Sequence, residues 1–532
     1  MIKNTILFAL LTFGVSSQAQ KLIKDIYKGP ASSTIFYIGN IEKGMFFMAE
    51  NTEFGNELWL SDGTTDGTKI VRDASLGSSS TSYTLNKWTT DSILYIVMKA
   101  AQDSFFGLWR SNGESSGTFK LFDFINMPKD YIIKATLLDN KLYFIDSDKS
   151  GNCIWATDGT ANGTQLIYRF NDAGVNYKLD ITNWNNQLYF FAYDLNHGIE
   201  LWKSDGTTSG TGLLKDIYPG KKSSVRATST SITTTKSSLY FTGCRDSSEG
   251  FELFKSDGSS DGTDLFIDFN LTNYVSSYPE IITYNEDEIL INTIINSSIY
   301  LSDGTTSGTM ELSFDNDQIT SSKIKWVKPL YDSYLLYIED NIYGGELRKI
   351  NRLTKEIELV MDINPGKKSS GINDLIFYNN NYYFPAFNDN IGSDIWITNG
   401  TFDNTKVFFE IREKLDEQMW HFIKFNNKLF FTAKLDKAIG LELYTFEGKT
   451  TSLIDLAADE FNVHPNPVSA GQILIFSDQA CNFELYNTLG QVVWQGISID
   501  GKSTLPDNID RGIYFLSVTK ETNNIKTKII VQ

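Results

Sequence analysis

A twelve-residue phrase that returns nine times constrains this chain more than any other feature. It reads ELWLSDGTTDGT at 57–68, GLWRSNGESSGT at 107–118, CIWATDGTANGT at 153–164 and ELWKSDGTTSGT at 200–211. It continues as ELFKSDGSSDGT at 252–263, SIYLSDGTTSGT at 298–309 and DIWITNGTFDNT at 394–405. Two copies have drifted, ELRKINRLTKEI at 346–357 and ELYTFEGKTTSL at 442–453. The first of these has lost the turn but keeps its sequel, because LVMDINPGKKSS at 359–370 closely matches LLKDIYPGKKSS at 213–224. The aromatic position of the phrase falls at 59, 109, 155, 202, 254, 300, 348, 396 and 444, with Arg at 348. The mean spacing is about 48 residues, and a fixed period of that size marks a repeat architecture.

Each copy has one internal grammar. An apolar run such as LYFF (188–191), LYFT (239–242) or LFFT (429–432) is followed by a polar turn and then the ELW segment. The DGTxxGT turn follows, and then a run such as LLKDI (213–217). Short β-branched and aromatic runs bounded by Gly, Asp, Asn and Ser are strands. With one weaker strand per copy, such as Ile181 to Trp184, each unit has about four. Within the turn, Asp205 can accept hydrogen bonds from N–H groups ahead of it, and Gly206 and Gly210 can take positive φ without steric cost.

Alternation separates the possible architectures. In the ELW strand the second residue is aliphatic (Leu58, Leu201, Ile395) and the third nearly always aromatic (Trp59, Trp202, Trp396). Neighbours on a strand point to opposite faces, so both faces of the sheet are apolar and covered. Small sheets packed face to face around a ring satisfy this, and about 48 residues fits a four-stranded propeller blade. The expectation is an all-β chain: a β-propeller over 20–456, followed by a small C-terminal β-sandwich. The literal count is nine blades, with eight as the alternative if one repeat is spent on closure. Lys21 to Tyr27 copies the strand that normally follows the turn, yet no ELW precedes it. That segment is expected to be an outer, closing strand.

Composition narrows the function. The chain has 532 residues, 41% hydrophobic and 14% aromatic, which is enough for a sizeable core and excludes global disorder. A net charge of −18 disfavours nucleic acid and anionic membrane surfaces. Three Cys (Cys153, Cys244, Cys481) make no disulfide framework, although a Cys153–Cys244 bridge is left open. His197, His421 and His464 are too far apart for zinc-ligand spacing. Residues 1–19 combine Lys3, an apolar run from Ile6 to Val15 and small residues ending at Ala19. This order predicts a secretory signal peptide cleaved after Ala19. No later stretch reaches the length of a transmembrane helix.

The repeated phrase resembles the ELWxxDGT repeat of exported bacterial proteins, a resemblance that implies a repeat architecture and no defined reaction. After residue 457 the grammar changes. Pro465-Asn466-Pro467 is followed by Tyr486 with Gly490 and Val493, then Gly512-Ile513-Tyr514, and finally Lys526 to Val531, which includes Lys528. Residues 461–532 are similar in this order to the type A sorting domain of the type IX secretion system. The resemblance implies a Gram-negative source and a partner in the type IX machinery. It further implies export across both membranes, with the protein released or attached at the cell surface.

Catalytic signals are sparse. The repeated Asp62, Asp158, Asp205, Asp257 and Asp303 could sit in calcium loops, but each turn offers one carboxylate and calcium takes six to eight oxygens. Turn capping is the preferred reading, so no cofactor is expected. Arg is scarce outside repeat positions, which argues against an arginine cluster holding a sugar carboxylate. Residues 411–421 form one irregular, charged stretch, expected as a surface helix or a binding loop. The expected function is a non-enzymatic propeller that binds an extracellular glycan or protein. The alternatives are a hydrolase or lyase with acidic residues at the channel, and a structural spacer.

Overall fold

The computed structural model describes residues 19–125, 133–148, 151–170, 180–226, 231–248, 250–270, 276–283, 287–293, 298–316, 318–319, 322–330, 333–351, 354–409, 421–436 and 438–447. Beyond these it describes 473–475, 482–486, 492–497, 502–506, 509, 511–520 and 523–531. Pro465, Asn466, Pro467, Gly490, the leader before Ala19, and the irregular stretch up to Trp420 lie outside the described residues. The chain divides into two compact units, Gln20–Phe446 and a second that holds the described strands after Glu447. No helix among the described residues is long and apolar enough to cross a membrane.

The first unit is a nine-bladed propeller. Its antiparallel sheets take their strands in chain order: 36–72, 82–123, 135–169, 181–215, 233–267, 280–311, 322–361, 376–409 and 422–447. The ninth sheet has three strands of its own, Phe422–Phe425, Lys428–Ala433 and Glu442–Glu447, and takes its outer strand from Ala19–Lys24. The amino-terminal segment therefore closes the ring, as the unpaired copy of the outer-strand sequence predicted. All nine copies become blades, and none is spent on closure.

The alternation of the ELW strand explains the packing. Leu58 of the first blade packs toward the second blade, whereas Trp59 packs toward the ninth. Leu443 and Tyr444 divide in the same way between the first and eighth blades. Trp59, Trp109, Trp202 and Trp396 are all buried. Burying a large apolar side chain contributes roughly 1.5–3 kcal/mol. Both faces of every sheet thus contribute to a core that runs around the ring.

First strands of successive blades lie against each other, so they line the centre. They are also cross-linked by polar groups. Indole N–H groups of Trp88, Trp184 and Trp326 donate to the carbonyls of Ala135 (3.0 Å), Thr235 (2.7 Å) and Ile372 (3.0 Å) of the next blade. Because strands alternate in direction, the ring has two chemically distinct rims. The connections between first and second strands and the DGTxxGT turns share one rim, called here the turn rim. The second-to-third connections and the links to the next blade share the other, the loop rim.

The seventh blade departs from the pattern. Arg348 stands at the aromatic position and is fully buried, paired with Asp340 at 2.7 Å and Asp315 at 3.3 Å. Asp315 is brought there by an extra short strand, Ser313–Phe314, which pairs in parallel with Glu356–Met361 and gives this blade a fifth strand.

In the second unit, a four-stranded antiparallel sheet has the order Val492–Ile497, Asn482–Tyr486, Gly512–Lys520, Asn523–Val531. Ile473–Ile475 pairs separately with Lys502–Thr504.

Candidate functional site

The turn rim is built from one repeated hydrogen-bond unit. In the fourth blade, Thr207 donates both its N–H (2.9 Å) and its hydroxyl (2.7 Å) to Oδ1 of Asp205. Gly210 N–H donates to Oγ1 of Thr207 at 3.0 Å, and the Thr211 hydroxyl donates to the Thr207 carbonyl at 2.6 Å. Asp62, Asp158, Asp257 and Asp303 hold their turns in the same way. These hydrogen bonds hold the Asp158, Asp205, Asp257 and Asp303 carboxyls below the usual carboxylate range.

The same turn docks on the preceding blade. Gly206 has φ +88°, and a Cβ there would meet the Tyr143 hydroxyl of the third blade. Gly159, Gly258 and Gly304 meet Tyr95, Tyr189 and Tyr240 in the same manner. Cations complete the joint: Arg110 donates to the Gly159 carbonyl at 3.0 Å and Lys255 to the Gly304 carbonyl at 2.6 Å. The five aspartates sit on five different blades and are not brought together. Among the described residues, no three His, Cys, Asp or Glu side chains are gathered so as to hold a metal.

The loop rim carries a second repeated device, which the sequence reading missed. The Glu that opens the ELW strand is buried in five blades: Glu57, Glu200, Glu252, Glu346 and Glu442. Each carboxylate accepts hydrogen bonds from the link that leaves its own blade. Glu200 takes the N–H groups of Ile217 (2.9 Å), Tyr218 (3.3 Å) and Ser224 (3.0 Å). Glu442 takes those of Ile26 and Tyr27, both at 3.2 Å, so the same latch seals the ring closure. Burial pushes these acids upward, Glu200 to about 8 and Glu346 and Glu442 to about 7, against the downward pull of the hydrogen bonds. The only visible signal was a charged residue at the head of an otherwise apolar strand.

Above the latches the loop rim is varied. Exposed apolar residues sit on its connections: Leu76, Phe105, Ile125, Leu195 and Ile391. In the fourth-to-fifth link, the Arg226 guanidinium lies 5.2 Å from the Phe251 ring and 4.7 Å from the Tyr278 ring.

A different cluster lies along the first strands at the ring seam. Lys87 Nζ donates to the Tyr37 carbonyl at 3.0 Å and lies over the Phe36 and Tyr37 rings. Asp374 approaches Nδ1 of His421 at 3.6 Å, and Nε2 of His421 is buried without a hydrogen-bond partner. Burial and the Asp374 charge push the Tyr37 hydroxyl up to about 12. His197 is apart from this cluster and pairs with Asp194 at 2.8 Å. Cys153 and Cys244 are buried thiols that are not bridged to each other.

In the second unit, Tyr486, Gly512, Tyr514 and Lys528 fall in one sheet. Tyr486 lies opposite Phe515, Phe515 opposite Lys528, and Gly512 opposite Val531. Tyr514 is buried, and the Tyr486 hydroxyl donates to the Glu484 carboxylate.

Comparison with known proteins bears on this second unit. The family described as "Secretion system C-terminal sorting domain" matches residues 462–532. No curated protein matches the chain. Among solved structures, the chain is similar to PorZ, a surface component of the type IX secretion system of Porphyromonas gingivalis, at 12% identity and a TM-score of 0.32. The likeness covers 94% of this chain and 75% of that one. The extracellular domain of a putative one-component system from B. thetaiotaomicron gives 11% identity, a TM-score of 0.32, and coverage of 97% and 74%. Prolyl oligopeptidase B from Galerina marginata gives 12%, a TM-score of 0.37, and coverage of 76% and 55%. The chain thus carries a secretion-system sorting domain behind a nine-bladed propeller, and that domain directs it to the cell surface or the medium.

Proposed function

We propose that this protein is a non-enzymatic binding propeller, exported by the type IX machinery and presenting its loop rim to an extracellular glycan or protein. The leader is removed after Ala19, which leaves Gln20 within the closing strand. Residues 461–532 then serve as the passport across the outer membrane.

The observation that carries the reading is the difference between the rims. Polar groups of the turns are engaged within their own turns and by side chains of the preceding blade. Exposed apolar side chains sit on loop-rim connections at Leu76, Phe105, Ile125, Leu195 and Ile391, with Leu76 in a link pinned by the buried Glu57, whereas Phe402 is exposed in a turn of the other rim. Exposed apolar groups on a rigid scaffold mark interaction surfaces.

Two experiments test this. Deleting 461–532 is expected to leave the protein in the periplasm, and surface display of the truncated form overturns the export claim. Replacing Leu76, Phe105 and Ile391 together with Ser is expected to abolish capture on glycan and protein arrays by the secreted protein. Unchanged capture overturns the rim assignment.

A second reading, a channel hydrolase or lyase, is supported by the Asp374 carboxylate 3.6 Å from Nδ1 of His421 and by the unpartnered Nε2 of that ring. His421→Ala with unaltered turnover of any substrate found would remove it.

A further inference from the structure

We infer that Arg226 is an anchor for the carboxylate of an acidic glycan, a uronic-acid saccharide bound on the loop rim. The inference rests on the rim reading above and names its ligand class. Arg226 is exposed, and among the described residues its guanidinium has no hydrogen-bond or ion-pair partner. Such a side chain ordinarily sweeps through many rotamers, and fixing it is entropically costly. Here it is fixed in advance by two rings. Phe251 and Tyr278 lie 5.8 Å apart with only 17° between their planes, and the guanidinium sits over both.

The rings are themselves held. Tyr278 N–H donates to the Phe251 carbonyl at 3.2 Å, and Phe251 N–H donates to the Ser276 hydroxyl at 2.9 Å. Tyr278 has φ +44°, a left-handed conformation that is strained for an aromatic residue and persists only where its surroundings impose it. Those surroundings are two latches. Glu252, next to Phe251, accepts the N–H of Ser277 at 2.9 Å, and Ser277 precedes Tyr278. Glu200 accepts the N–H of Ser224, two residues before Arg226.

A guanidinium held over two rings, with no polar partner among the described residues, offers a planar fork of N–H donors. That fork matches a carboxylate bidentately. A single fork suits one planar carboxylate rather than a cluster of phosphates. Among the described residues the rim connections offer no strand edge for a peptide backbone to join, whereas a saccharide is held by side chains alone. The scarcity of Arg in the sequence argued against a cluster; one immobilised Arg serves a single acid group.

The test titrates the full secreted protein by calorimetry with oligogalacturonate, with its methyl ester, and with an acidic peptide of equal charge. Oligogalacturonate is expected to bind, the ester and Arg226→Gln each to weaken binding about tenfold or more, and Arg226→Lys to recover only part. Arg226 is exposed, so melting of the variants checks that they fold. Binding that ignores Arg226→Gln or esterification overturns the inference, as does tighter binding of the acidic peptide or silence toward the uronate. Silence here, combined with array capture that is lost in the Leu76, Phe105 and Ile391 variant, refutes the ligand class and leaves the rim reading standing.

Discussion

The two rims of this ring are both organised by carboxylates, and the two sets live in opposite environments. On the turn rim Asp158, Asp205, Asp257 and Asp303 are exposed, satisfied within their own turns and held below the usual carboxylate range. On the loop rim Glu200, Glu346 and Glu442 are buried, bind the link to the next blade, and are pushed up to about 7 or 8. A short turn can satisfy itself, so it can be copied with little change. A long link cannot, and one buried acceptor frees the rest of its sequence to vary. Uniformity on one rim and variety on the other follow from where the hydrogen-bond acceptor sits.

The seventh blade breaks the comparison most sharply, because its turn is gone and a buried ion pair stands in its sheet. Arg348→Ala is expected to destabilise by about 3–5 kcal/mol, since Asp340 is left buried without a countercharge. Arg348→Trp restores the repeat sequence and is expected to destabilise as well. Denaturant melts of the secreted protein measure both, and a Trp variant as stable as the parent would show that the pair is dispensable.

Removing a latch comes next. Glu442→Ala leaves the N–H groups of Ile26 and Tyr27 without their acceptor, at roughly 1–3 kcal/mol for each buried donor. Hydrogen exchange should show the closing strand 19–24 opening first. Protection that falls evenly over all blades contradicts the latch.

On the turn rim, Gly206→Ala is expected to cost roughly 1–3 kcal/mol, from the positive φ and the Tyr143 hydroxyl behind it. Its effect should stay near the third and fourth blades.

The pH dependence sharpens the contrast between the rims. The latch acids titrate above their unfolded values, so their contribution is complete below about pH 4.5 and declines as pH rises toward 8. The turn acids titrate below theirs, so their contribution is present above about pH 4 and lost on further acidification. The thermal midpoint should therefore peak near pH 4–5 and fall on both sides. A flat profile from pH 5 to 8.5 would be inconsistent with buried, upshifted Glu. The smallest effect belongs to Leu76→Ser and Phe105→Ser, each expected within about 0.5 kcal/mol of the parent in stability.

Much of the ring was legible. Recurrence of the twelve-residue ELW phrase, worn copies included, gave the blade count, because its strand and turn need only residues close together in the chain. Leu–Trp alternation gave the two-sided packing, because strand neighbours necessarily point apart. The unpaired Lys21 to Tyr27 gave closure. The latches were not legible, since Glu200 meets Ile217 and Ser224 only after the link folds back over the blade. The same holds for Arg348, which reads as a lost Trp until Ser313–Phe314 delivers Asp315. The seam cluster joins residues as distant as Tyr37, Lys87, Asp374 and His421 through ring closure alone.

The sequence by itself determined a ring of repeats and an address, because local periodicity and a terminal motif are properties of neighbouring residues. Only the tertiary structure decided how each rim is held, by turns that satisfy themselves on one and by buried Glu latches on the other. The latches depend on groups brought together across a link or across the closure.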